Sequence, residues 1–213
     1  MRHLNSSIFI AAGLLTGFGI AGAGLVAVTQ QGTAERIAQN EREALLANIA
    51  KILPADVANN DLLADTVTVS APQQLGARQT TVYRGRRDGE PSAAVFSAVE
   101  AGGYAGPIRL IVGVRADGTL GGVRVLSHRE TPGLGDRIEE SRSDWVAGFD
   151  GKSLTNPPAE DWKVKRDGGE FDQFTGATVT PRAVVKAVKQ TLEYAREHWG
   201  ELFAANGDTA QTG

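Results

Sequence analysis

Hydrophobic residues crowd the start of the chain and then change their rhythm. Ile8 to Val28 is a run of 21 residues without a charge. A helix of that length, at about 1.5 Å per residue, reaches about 31 Å, which suffices for a bilayer core. A cleaved signal peptide is the rival reading, with Ala21-Gly22-Ala23 as its small-residue cleavage site. The run is longer than the ~7–15 residues of a signal's apolar core, which favours an anchor. The pattern therefore predicts a single transmembrane anchor within residues 1–30. Thr33 to Leu53 predicts a connecting helix over 31–54. Thr33 can cap it, Pro54 follows its end, and Ile37, Leu45, Ile49 and Leu53 share one stripe.

The rest alternates differently. Ala55 to Gln74 is polar and irregular, and strand signals follow. Gln79–Tyr83 is one candidate, broken by Arg86-Arg87-Asp88-Gly89, and Ser92–Glu100 is a second. Ile108–Arg115 and Gly122–Ser127 form the clearest pair, because Asp117-Gly118 between them is a hairpin signal. A short helix is expected at Asp136–Arg142. A longer one is expected at Pro181–Trp199, where Val184, Val188, Leu192, Ala195 and Trp199 recur at steps of three or four. The predicted class is α+β, a largely antiparallel sheet with packed helices over residues 55–205, then a flexible tail at 206–213.

Composition removes several chemistries. The 213 residues carry a net charge of −3, so no basic surface argues for nucleic acid. Cysteine is absent, which excludes disulfides, thiolate metal sites and cysteine nucleophiles. The three histidines, His3, His128 and His198, show no metal-ligand spacing. Gly17-Phe18-Gly19-Ile20-Ala21-Gly22 matches the dinucleotide pattern G-x-G-x-x-G, but it lies inside the apolar run without the required strand and amphipathic helix. Gly13 and Gly17 are spaced as G-x-x-x-G, which suits a face meeting another membrane helix as well as it suits plain membrane filler.

Asp172-Gln173-Phe174-Thr175-Gly176-Ala177-Thr178-Val179-Thr180-Pro181 is the most informative stretch. It sets three threonines around a Gly-Ala pair directly before a helix. Thr180 is expected as N-cap and Pro181 as the first helical residue. A helix N-terminus offers unpaired N–H groups and a positive dipole end, so this reads as an anion site lined by hydroxyls. Two further patches stand out. Gly102 to Ile108 joins two strand candidates, and His128-Arg129-Glu130-Thr131-Pro132-Gly133-Leu134-Gly135 follows the hairpin's second strand. Alone, each is as well read as a turn or a strand-to-helix connection.

Together, the three patches resemble the FMN-binding domain family. Its members carry Gly-Tyr-x-Gly-Pro-Ile, Glu-Thr-Pro-Gly-Leu-Gly and Ser/Thr-Gly-Ala-Thr in that order, here at Gly103–Ile108, Glu130–Gly135 and Thr175–Thr178. With the anchor included, the chain is most similar to the G subunits of Rnf electron-transport complexes. The C subunits of sodium-translocating NADH:quinone reductases are the nearest alternative, and a non-redox structural or sensory module is a third. The resemblance implies FMN bound covalently, as a phosphoester on Thr178, and electron transfer within a ferredoxin:NAD oxidoreductase complex. It implies that Thr175, Gly176, Ala177 and Thr180 cradle the phosphate. Glu130, Thr131, Gly133 and Leu134 would line the ring, and Gly103, Tyr104 and Gly106 would allow close backbone approach. Lys163 or Lys165 is a candidate to offset the phosphate charge, against the plain reading of a solvated face. The implied partners are other membrane subunits, a flavin transferase for maturation and the lipid bilayer. The implied location is the bacterial inner membrane, with the soluble domain on the periplasmic side.

Overall fold

The computed structural model describes residues 2–204, with the side chains of 2–7, 31 and 35 excepted. The tail expected at 206–213 lies outside the described residues. Helix α1 runs Arg2–Ile52 without interruption, so anchor and connecting helix are one element. Thr33 does not cap a new helix; its Oγ1 donates to the Thr29 carbonyl one turn back, at 2.9 Å. The physical reason is that no proline precedes Pro54. A lone Gly32 weakens a helix by only about 1 kcal/mol without breaking its hydrogen bonds.

The chain divides into two compact units, residues 1–47 and 48–213. In the first, Phe9, Leu15, Phe18 and Leu25 are exposed on a helix whose best window has a mean hydropathy of 1.9. That length and composition are sufficient to cross a bilayer.

The second unit is built on a five-stranded antiparallel meander, ordered β1-β2-β3-β4-β5. Its strands are β1 (Thr66–Val69), β2 (Thr80–Arg87), β3 (Glu90–Glu100), β4 (Ile108–Arg115) and β5 (Leu120–Ser127). β1 falls in the stretch expected to be irregular. Its Thr-Val-Thr-Val alternation, with both valines buried, is a strand signal too short to stand out alone. Arg86 and Arg87 do not break β2 but complete it. The reversal is confined to Asp88 (φ 53°) and Gly89 (φ 89°), the two left-handed residues that a type I′ hairpin turn requires.

One face of the sheet packs under α3 (Val179–Ala204), which is preceded in the chain by the one-turn α2 (Pro72–Leu75). Val184, Val188, Leu192 and Ala195 bury against a core that includes Val82, Phe96, Leu110 and Val112. Phe96 meets Tyr194 edge-on at 6.2 Å. On the other face, the end of α1 seats Ile52 and Leu53 over three glycines. A Cβ on Gly122 would lie 2.9 Å from Ile52 Cγ2, and one on Gly121 only 2.5 Å from the Ile52 carbonyl oxygen. Lys51 and Arg124 both pair with Glu140, at 2.6 and 3.1 Å, beside that seat.

The helix expected at Asp136–Arg142 is a single 3-10 turn, Gly135–Ile138. Glu139 leaves it in extended conformation because its carboxylate reaches across to His128. A second 3-10 segment, Asp144–Phe149, places Trp145 and Phe149 among Trp162, Phe171 and Phe174, with ring centroids 4.7–6.2 Å apart. This aromatic cluster fills the end of the core beneath the Thr175–Thr178 stretch.

Gly121→Ala should lower the unfolding free energy by about 1–3 kcal/mol, because the added methyl meets backbone that cannot step aside. Gly148, whose Cβ would meet nothing within 4 Å, should accept alanine with a change of under about 1 kcal/mol. Chemical denaturation of the two variants beside wild type measures both.

Candidate functional site

The segment before α3 folds as a tight turn. Ala177 N–H donates to the Phe174 carbonyl at 3.1 Å, and Gly176 takes φ 84° at the third position. That geometry excludes most side chains there and favours glycine. The aromatic cluster holds the turn from below, since Trp145 Nε1 donates to the Asp172 carbonyl at 2.8 Å and its ring lies 5.2 Å from Phe174.

Helix α3 begins one residue before Thr180, so Thr180 is not its N-cap. The first helical bond runs from Arg182 N–H to the Thr178 carbonyl at 3.3 Å, which makes Thr178 the capping residue. A cap side chain ordinarily accepts from the second or third helical N–H. The third residue is Pro181, which has none. Thr178 Oγ1 makes no hydrogen bond among the described residues and is half-buried at the cavity wall. The sequence thus places a spare hydroxyl at the positive end of a 26-residue helix.

Thr180 is committed elsewhere. It is fully buried, and its Oγ1 donates a short hydrogen bond to Glu130 Oε2. The other Glu130 oxygen accepts the Ala105 N–H at 3.0 Å. One buried carboxylate therefore joins the Gly103–Gly106 loop, the Glu130–Gly135 loop and the start of α3. Two glycines make the junction possible. A Cβ on Gly135 would come within 2.9 Å of both Glu130 and Thr180 Oγ1, and one on Gly103 would lie 2.9 Å from Glu130 Oε1.

The three loops enclose a cavity of about 350 Å³, within the ~300–1,000 Å³ usual for small-molecule sites. Its wall takes Tyr104 from the first loop and Glu130, Thr131, Leu134 and Gly135 from the second. Gly176, Ala177, Thr178, Val179 and Thr180 come from the third. Tyr104, Leu134 and Val179 are exposed there at 73, 42 and 42%. Most of the sequence-predicted residues are brought together. Thr175, Gly103, Gly106 and Gly133 do not line the cavity but shape its loops, with Gly106 at φ 129° and Gly133 at φ 78°. Gly135 and Val179 are lining residues that sequence reasoning did not assign. Gly135 closes the second motif, and Val179 carried no signal of its own.

The lysines expected to balance a phosphate do not line the cavity. Lys165 pairs with Asp172 at 2.7 Å, and that hydrogen bond raises its pKa. Arg182, one turn into α3, is held by both oxygens of Asp167 at 2.5 Å. The positive element at Thr178 is therefore the helix end itself, where the Val179 and Thr180 N–H groups donate to no acceptor among the described residues. A second cleft of about 350 Å³, lined by Leu154, Leu192 and Trp199 among others, contains none of the three motifs.

Apolar contact from Tyr104 and Leu134, a helix N-terminus and a hydroxyl without a partner among the described residues have the chemistry to receive an amphipathic, phosphate-bearing ligand. A family model described as FMN-binding domain matches residues 103–193, a range that contains all three loops. A second, described as RnfG N-terminal region, matches residues 1–52. The unit with the cavity is thus an FMN-binding domain. The G subunit of the ion-translocating oxidoreductase complex of Pseudomonas aeruginosa is 51% identical over 192 residues, covering 90% of each chain. Its counterpart in Vibrio atlanticus is 47% identical over 188 residues, 88% of this chain and 90% of the other. The counterpart in Cereibacter sphaeroides is 45% identical over 203 residues, covering 95% and 91%. The chain belongs to this family of G subunits.

Glu130→Ala strands the Thr180 hydroxyl and the Ala105 N–H, and should cost about 1–3 kcal/mol in denaturant unfolding. A pH effect follows from Glu139, whose pKa is lowered first by its hydrogen bond with His128 and next by that with Ser141. A carboxylate depressed in the folded state stabilises above its unfolded value, and that stability is lost as pH falls through the folded one. Glu139→Gln should therefore flatten the acid limb of the stability curve below the ordinary carboxylate range, as followed by thermal melts.

Proposed function

We propose that this chain is a membrane-anchored electron-transfer subunit of an Rnf-type ion-translocating oxidoreductase. It carries FMN esterified through its ribityl phosphate to Thr178 Oγ1. The observation that supports this most directly is the uncommitted hydroxyl of Thr178, the residue at the N-cap position of α3, at the wall of the cavity bounded by all three motifs. The relatives named as G subunits support the complex, and their coverage of nearly the whole chain favours this reading over a quinone-reductase C subunit.

Bound FMN supplies one- and two-electron transfer chemistry. The chain's own contribution is binding and orientation. The free N–H groups of Val179 and Thr180 face the esterified phosphate, and Gly176 lets the backbone approach it. Tyr104, Leu134 and Val179 offer apolar contact to the ring. Thr131 adds a hydroxyl at the rim. Glu130 acts from behind, through the loops it ties together. Thr178 is modified once, by a flavin transferase, and takes no part in turnover. The subunit passes electrons to and from other membrane subunits rather than turning over a substrate alone. Its α1 anchor sits in the inner membrane, with the domain on the periplasmic side.

The test is covalency. Full-length chain made with a flavin transferase should keep yellow-green fluorescence after denaturation and gel electrophoresis, and its intact mass should exceed the bare chain by one esterified FMN. Thr178→Val should lose both signals. Fluorescence that persists in that variant would move the attachment to another residue.

A further inference from the structure

Behind the cavity lies a buried imidazole that flavin binding alone does not call for. The His128 side chain is only 9% exposed. Its Nδ1 accepts the Glu130 backbone N–H at 3.0 Å, and its Nε2 lies 2.6 Å from Glu139 Oε1. An N–H donor at one nitrogen and a carboxylate at the other select a single neutral tautomer, with the proton on Nε2. The charged groups around this pair are few. Glu139 also accepts from Ser141 Oγ at 3.0 Å and feels the Arg142 charge. From the loop side comes Glu130, whose carboxylate is already taken by Ala105 and Thr180. From the strand paired with β5 comes Arg109, exposed and in register with Ser127, and the exposed Arg129 follows His128 in the chain.

We propose that His128 is a positioning residue for the cavity loop, and that protonating its ring releases the Glu130 amide while retaining Glu139. A proton on Nδ1 would confront the Glu130 N–H at hydrogen-bond distance, donor against donor, so that contact must open. Nε2 keeps its proton and its carboxylate partner in both states, and the ring stays anchored to the 3-10 turn. Glu130 is the residue that ties the three cavity loops together. Freeing its amide loosens the segment that carries Thr131 and Leu134 to the cavity wall. The consequence for a bound flavin rests on the function proposed above; the proton switch itself is a property of the polypeptide.

The experiment uses full-length Thr178→Val chain in detergent, so that no covalent flavin is present. Long-range proton–nitrogen NMR should show Nε2 protonated and Nδ1 bare at neutral pH; a proton on Nδ1 there would overturn the proposal. Across the ring's own NMR titration, hydrogen-exchange protection of the Glu130 amide should fall about tenfold on the acid side, as loss of one hydrogen bond implies. Protection at Leu110 in β4 should not change. His128→Asn sets a side-chain oxygen near the Nδ1 position and should keep protection without the pH step. His128→Gln reaches the Nε2 position instead and should lose protection at every pH. A purely space-filling role would make the two variants alike, and that result, or flat protection in the parent chain, sinks the idea. In wild-type chain carrying flavin, the same titration should appear in flavin fluorescence polarisation. If wild-type chain carries no flavin, the proposed function fails and the NMR result stands by itself.

Discussion

The site depends on one buried carboxylate. Glu130 has two oxygens and spends them on two different segments, the Ala105 N–H and the Thr180 hydroxyl, while its own backbone N–H is held by His128. Three loops distant in sequence are thereby fixed to one another where the sheet ends and α3 begins. A buried carboxylate without partners would be costly to keep; with hydrogen bonds at both oxygens it becomes a specific junction. Gly103 and Gly135 are necessary corollaries, since a methyl at either position would occupy the space the carboxylate uses.

Around that junction the chemistry divides cleanly. Groups inside it are satisfied and cannot also serve a ligand, which is why Thr180, although it borders the cavity, has no hydroxyl to offer a phosphate. Groups just outside it are left unsatisfied. Among the described residues the Thr178 hydroxyl has no partner, since Pro181 removes one N–H it could have capped, and the first N–H groups of α3 have no acceptor. The same proline that makes a good helix start thus leaves a threonine hydroxyl without a capping bond. The apolar residues at the cavity mouth, Tyr104, Leu134 and Val179, are exposed in the chain by itself, as expected of surface that gains cover only from a flat ligand or a partner.

Much of the fold was legible from local patterning. β4 and β5 are plain, because a turn dipeptide, Asp117-Gly118, between two apolar runs is a strong local signal. So was the apolar face of α3. β1 was not, since four residues cannot establish a period and its pairing with β2 is decided by the sheet. The Asp136–Arg142 segment read as a helix because its composition allows one. Glu139 and Glu140 were instead drawn to His128, Lys51 and Arg124, contacts that span up to 89 residues and leave no local trace. The site's members were legible as motifs, while their division of labour was not.

What the sequence alone determined was the apolar span, the order of the three motifs and the strong helix after the last of them. Each is set by side chains within a few residues, where backbone preference and hydrophobic period act directly. The tertiary structure decided which threonine caps α3, which carboxylate closes the loops, and why the lysines near the turn are turned to Asp172 or to solvent. Those choices are competitions among hydrogen-bond partners brought together only by folding. Their outcome depends on which donor and acceptor are buried within 3 Å of each other.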